Sequence, residues 1–280
     1  MTSGRARYEA RTGRPPPSAP AAAVAAALRG ARVTAAATFL LAVSAVAAEA
    51  PVVVAPLTGP GANVPAPWRF EGLPEQTLPA TRFDLVDLDG RRVLRVTAEG
   101  SYGNLVHPLP DAGDGPGAQV AQAAAAPTLS WRWRVEQPVA GADLRTKAGD
   151  DTAVKVCALF DLPLDALPFW ERQTMRLARS LSGQDLPAAT LCYVWDATLA
   201  PGTVLPNAHS PRLRWWVLRG PESSPGQWLA ERRDLRADFL RAFGDEASEM
   251  PPLRAIGVGA DADNTGARGL AYVDALALAP

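Results

Sequence analysis

Apolar positions along this chain recur mostly at every second residue, the period of strands with one buried face. Thr81–Leu88 and Arg91–Ala98 flank Asp89-Gly90, a residue pair suited to a two-residue hairpin turn. Ser101–Val106 reads as a further short strand. In Thr128–Val135, Trp131, Trp133 and Val135 share one face, and Arg132 and Arg134 share the other. Asp151–Phe160 sets Val154 and Val156 against Lys155, Cys157 and Leu159. Strands are predicted again over Thr190–Trp195, Leu213–Arg219 and Gln227–Arg232. Leu253–Ala260 and Leu270–Leu278 close the chain as a predicted hairpin about the loop Asp261-Ala262-Asp263-Asn264-Thr265-Gly266.

Two segments leave that period. Between Asp165 and Gln184, Trp170, Thr174, Leu177 and Leu181 fall at helical spacing, with Arg172, Arg176 and Arg179 on other faces. After Asp234, an N-cap residue type, Leu235, Phe239 and Phe243 recur every fourth position until Gly244. Strands and helices do not alternate, and neither a glycine-rich phosphate loop nor an internal repeat is present. The expected fold is all-β: an antiparallel two-sheet β-sandwich of jelly-roll type, similar to lectins and carbohydrate-binding modules, with one or two short inserted helices.

Composition changes the picture mainly at the N-terminus. Residues 1–48 are rich in Ala, Arg and Pro, and a basic flank (Arg29, Arg32) precedes the apolar run Val33–Ala48. That run is shorter than the roughly 20 residues of a membrane span, so it reads as a signal peptide with an upstream extension. Residues 49–67 form an extended lead-in, and residues 68–280 a single domain with a low-complexity insertion at 111–127 and a helical one at 165–184. Without residues 1–48 the chain keeps 22 basic and 28 acidic residues, a net of -6. That balance argues against nucleic acid as a partner, and no further apolar run reaches membrane length. A periplasmic or secreted location follows. Export permits a disulfide between the only two cysteines, Cys157 and Cys192, while two buried thiols on adjacent strands would look the same in sequence.

The candidate chemistry is carboxylate-based. Asp261, Asp263, Thr265 and Gly266 match the first half of a calcium loop, and Tyr272 then stands where a bidentate Glu is required. A looser calcium site on Asp261 and Asp263 stays open, completed by Asp274 or by Asp150-Asp151. So does a plain polar turn. Asp150 and Asp151, Lys155, Tyr193, Trp195 and Asn207 are the expected ligand contacts, a mixed polar groove to which Arg132 and Arg134 belong if the valine and tryptophan stripes are core. With only His107 and His209 a zinc site is not expected, and no GxSxG elbow supports a serine nucleophile.

Leu129-Ser130-Trp131-Arg132-Trp133, Gly149-Asp150-Asp151-Thr152-Ala153-Val154-Lys155-Val156, Tyr193-Val194-Trp195 and Asp261-Ala262-Asp263-Asn264-Thr265-Gly266 occur in that order, with Trp228, Glu231, Arg233 and Asp238-Phe239 before the last. This combination resembles a bacterial family of exported proteins, Domain of unknown function 3047, over Trp68 to Leu278. The resemblance implies a sandwich and brings no activity with it. The leading expectation is a non-catalytic protein that binds a carbohydrate or envelope ligand. The alternatives are a glycan hydrolase or lyase using Asp150 and Asp151, and a structural or partner-binding envelope protein.

Overall fold

The chain divides into two units, residues 1–46 and 47–280. The computed structural model describes residues 54–109, 127–182 and 186–279, all in the second unit. The expected signal peptide, the start of the lead-in, nearly all of the 111–127 insertion and the end of the helical one lie outside them. Among the described residues no helix is long and apolar enough to cross a membrane.

Among the described residues twelve strands form two packed sheets. In chain order they are β1 (Arg69–Glu71), β2 (Arg82–Leu88), β3 (Arg91–Glu99), β4 (Tyr102–Pro108), β5 (Thr128–Gln137), β6 (Thr152–Phe160), β7 (Ala189–Trp195), β8 (Val204–Pro206), β9 (Leu213–Arg219), β10 (Leu229–Asp234), β11 (Leu253–Asp261) and β12 (Arg268–Ala279). Helix α1 (Phe169–Ser182) joins β6 to β7, and α2 (Leu235–Phe243) follows β10. The large sheet runs β1-β4-β11-β6-β7-β9-β8 and the small one β10-β5-β12-β3-β2. The all-β sandwich expected from the alternation is the fold observed.

Side-chain parity builds the core. Trp131, Trp133 and Val135 from the small sheet meet Val154, Val156, Tyr193 and Trp195 from the large one. Trp131 lies 5.3 Å from Tyr193, and Trp133 6.3 Å from Trp195, between ring centroids. Truncating one such ring to alanine typically costs about 3–5 kcal/mol. The Asp89-Gly90 turn forms as expected, with φ of 52° and 73°. Asp234 caps α2 through Ala237 N (2.9 Å), and Leu235, Phe239 and Phe243 are buried.

Three features depart from the sequence reading. First, β11 and β12 are not a hairpin. Both edges of β11 are taken by β4 and β6, and both edges of β12 by β3 and β5. The intervening loop crosses from one sheet to the other. It runs beside a second crossing at Gly100, between β3 and β4, whose N–H donates to Ala267 O (3.0 Å).

Second, β7 and β9 pair in parallel. The chain leaves β7, passes to β8 at the sheet edge and returns through β9. This excursion contributes Leu199 and Leu205 to a second apolar cluster with Leu144, Cys157, Cys192, Val194, Trp215 and Val217. Cys157 and Cys192 are cross-strand neighbours and form a disulfide within that cluster, which resolves the open choice between bridge and thiols. Trp215 and Trp216 serve opposite faces, and both are buried.

Third, the α1 stripe points outward. Met175 is the helix residue in the core, whereas Trp170 is 78% and Leu181 77% exposed.

Candidate functional site

The outer face of the large sheet carries the charged cluster. Lys155 projects there because its neighbours Val154 and Val156 project into the core. The residue is 2% exposed, and its Nζ lies 2.6 Å from Asp261 Oδ2. Asp261 Oδ1 accepts from Thr152 N at 3.0 Å. The ammonium also sits over two rings, 5.0 Å from the centroid of Tyr102 and 5.6 Å from that of Trp215. Gly259 is the register partner of both Lys155 and Asn104. A Cβ there would fall 2.1 Å from Asn104 Oδ1 and 2.7 Å from Lys155 Cε. The absent side chain is what lets Lys155 and Asn104 pass over β11, and Asn104 Nδ2 then donates to the Tyr102 hydroxyl (3.2 Å).

Asp150 reaches the same place from the loop before β6. The 3-10 turn Lys147–Gly149 brings the chain against Asp143, and a Cβ on Gly149 would lie 2.7 Å from Asp143 N. Asp150 Oδ1 accepts from Trp215 Nε1 (3.1 Å), and Oδ2 accepts from Asn207 Nδ2. Asn207 Oδ1 accepts the N–H groups of His209 and Ser210, so it fixes the rim loop between β8 and β9. His209 Nε2 stands 3.9 Å from Asp150 Oδ2 and is half exposed.

These groups enclose a cavity of about 350 Å³, to which Leu73, Leu213, Asp263 and Asn264 also contribute. Burial raises the pKa of Asp261 to about 6, against the pull of Lys155. Burial likewise raises Asp150, opposed by its bonds to Asn207 and Trp215 and by the charge of Lys155, and it raises Asp263. Burial alone would lower Lys155, but Asp261, Tyr102 and Asp150 outweigh it and hold the ammonium above its ordinary range. A larger cleft of about 550 Å³ lies towards the other end of this face. Its Arg69 and Glu71 pair with each other on the open surface, so it offers apolar walls with no buried charge.

Asp150, Lys155 and Asn207, expected as ligand contacts, do meet here, and Asp261 and Asp263 join them. Three other expectations fail. Tyr193 is fully buried on the core side, its hydroxyl donating to Asp238 Oδ2 (2.7 Å), and Trp195 packs on Trp133. Both lie across the sheet from Lys155, because β7 presents Cys192 and Val194 to the outer side. Asp151 is 1% exposed, and its carboxylate accepts from Asn264 N, Asn264 Nδ2 and Thr265 N, so it pins the crossing loop. Arg132 and Arg134 belong to the small sheet, paired with Asp274 and with Asp89 and Glu136.

The calcium expectation for Asp261 and Asp263 meets an unfavourable donor set. Both oxygens of Asp261 are engaged by Lys155 and Thr152, and a buried ammonium 2.6 Å away repels a cation. Among the described residues no three His, Cys, Asp or Glu gather as metal ligands. Tyr102, Asn104 and Gly259 escaped the sequence reading. The one signal was the Gly257-Val258-Gly259 alternation, since glycine inside a strand marks a close approach by neighbouring atoms.

The family model described as "Protein of unknown function (DUF3047)" matches residues 66–277. The chain belongs to this family. No curated protein sequence matches it.

Among solved structures, DUF3047 as represented by this chain is similar to the K3 adhesin domain of Lys-gingipain from Porphyromonas gingivalis (9% identity, 77% of this chain and 93% of that one, TM-score 0.32). It is also similar to the Cel12A catalytic domain of Humicola grisea (9%, 75% and 92%, TM-score 0.36) and to endoglucanase 3 of Trichoderma harzianum (10%, 78% and 98%, TM-score 0.31). The activities in those names belong to those proteins.

Proposed function

We propose that this DUF3047 protein is an exported, non-catalytic binder of a carbohydrate or related envelope ligand, and that the ligand seats in the Lys155–Asp261 cavity. One observation carries the reading: a cavity of about 350 Å³ lined by acceptors and donors that internal bonds already hold in place. Its volume falls within the range of small-molecule sites. Carboxylates at Asp150 and Asp263 beside amides at Asn207 and Asn264 suit the mixed donor and acceptor character of sugar hydroxyls. Of the two lining rings Tyr102 is the one that keeps exposed surface, Trp215 being buried. Because Asp150 and Asp261 are bonded before any ligand arrives, a polar ligand meets a preorganised surface.

Titration with a polysaccharide panel tests this, using the wild type, His209→Ala and Asn207→Ala. Binding by the wild type that weakens about tenfold or more in Asn207→Ala, on the scale of a lost charge-assisted hydrogen bond, supports it. Absence of binding to every polysaccharide, or binding unchanged in both variants, sinks it.

A glycan hydrolase or lyase is the second reading, favoured by two carboxylic acids, Asp150 and Asp261, raised by burial at one cavity. Release of reducing ends or of unsaturated products by the wild type, abolished in Asp150→Asn, would replace binding with catalysis.

A further inference from the structure

Helix α1 exposes more apolar surface than any other described helix. Phe169 is 59%, Trp170 78%, Leu177 59% and Leu181 77% exposed. Trp170, Thr174, Leu177 and Leu181 form one stripe. The hydroxyl of Thr174, the sole polar group in that stripe, donates to Trp170 O (3.0 Å), so the stripe presents a methyl there. The helix is held from behind. Met175 is buried, Glu171 pairs with Arg212 (2.8 Å), and Arg172 donates to Asp165 O and Leu167 O. Arg179 donates to Leu186 O. The stripe therefore remains on display in the folded protein and is not a packing face awaiting its own core.

Within the helix itself the charge is mostly basic: Arg172, Arg176 and Arg179 stand against one acid, Glu171, whose carboxylate is paired with Arg212. Arg176 is exposed on the helix surface. Aromatic and leucine side chains on one face with arginine beside them, on a helix too polar to span, are the pattern of helices that lie in a membrane interface. A second copy of the chain is the poorer partner, since antiparallel pairing of two such helices would bring like-charged arginines together.

We propose that α1 lies flat on an anionic lipid surface, with Trp170, Leu177 and Leu181 among the headgroups and Arg176 against lipid phosphates. The contact is local, because the domain outside α1 is acidic and is repelled by the same surface. No residue of α1 lines the cavity, although Arg212, which holds Glu171, stands between the lining residues Ser210 and Leu213.

The test uses the full chain, whose apolar segment Val33–Ala48 could itself hold vesicles, so the readout is placed on α1. A polarity-sensitive fluorophore is attached at an introduced cysteine, Leu177→Cys or, as control, Glu222→Cys on an exposed loop. Vesicles are phosphatidylcholine alone or an equal mixture with phosphatidylglycerol. The expected result is a blue shift at position 177 on the mixed vesicles only, with none at position 222. Arg176→Glu should weaken it about tenfold or more, and Trp170→Ser with Leu181→Ser about 100-fold. An aqueous signal at position 177 on vesicles that carry the protein overturns the proposal. So does an equal shift on neutral vesicles, or a shift without lipid that grows with protein concentration.

Discussion

Two buried charge networks sit on opposite faces of the same sheet, and they differ in what surrounds them. On the core side, the side chains of Tyr193, Asp238 and Arg233 bond only to one another: the hydroxyl and the guanidinium both donate to one carboxylate, and the guanidinium, a quarter exposed, lies over the Tyr193 and Trp216 rings. On the outer side, Lys155 and Asp261 form an equally short pair, yet one flank borders a cavity. Burying charge is costly in both places. In the first the arrangement fastens α2 to the sheet, since Asp238 belongs to the helix and Tyr193 to β7. In the second the pair joins β6 and β11, strands already bonded to each other, and the fixed polar groups face open volume. That difference, and not the presence of charge, is why the outer network is the candidate site.

The contrast can be broken most severely at Lys155. Lys155→Met leaves Asp261 buried beside a methyl group and should cost about 3–5 kcal/mol in chemical denaturation, whereas Lys155→Met with Asp261→Leu should recover most of it. Arg233→Met should cost less, because Asp238 keeps the Tyr193 hydroxyl and Arg233 is a quarter exposed. Gly259→Ala comes next: a methyl driven into Asn104 and Lys155 should cost about 1–3 kcal/mol and should abolish ligand titration as the pair is displaced.

The two networks should also separate by pH. Asp261 in the folded state holds its proton up to about 6, above its ordinary 3.8. Between those values the folded protein binds more protons than the unfolded one, so this group's stabilising contribution is greatest below about 4 and declines as pH rises through 6. Asp150 and Asp263, also raised, act in the same direction. Denaturation midpoints at successive pH values should therefore show the wild type losing ground to Asp261→Asn as pH rises from 4 to 7. Tyr193 is held well above the ordinary tyrosine range and responds only in alkali. The smallest effect belongs to His209→Ala, which should leave thermal stability within about 0.5 kcal/mol while weakening ligand binding.

Where one face of a strand is buried, the sequence is easy to read. Trp131, Trp133 and Val135 alternate with Ser130, Arg132 and Arg134, and their side of the sheet follows. Strand β7 defeats the same reasoning. All seven of its residues are buried, because Leu199 and Leu205 cover the outer face as the core covers the inner one. With no polar alternation left, nothing local says that Tyr193 and Trp195 point away from Lys155. The loop after β11 misleads for another reason. Two apolar runs about a polar turn look alike whether they pair with each other or enter different sheets, and the choice depends on whose edges are free. Asp150 and Asp261 were visible as carboxylates. Their meeting was not, since it depends on strand order, and the site's Tyr102 and Gly259 have meaning only as cross-strand neighbours of residues far along the chain.

The crossing loop has a consequence for how the molecule assembles. Lys155 and Asp261 are 106 residues apart, and Asp151 holds Asn264 across 113. Contacts that close such long loops carry a large entropic cost and form slowly. The cavity thus comes into being only when the last strands have docked, and any ligand that recognises it reports on a finished fold.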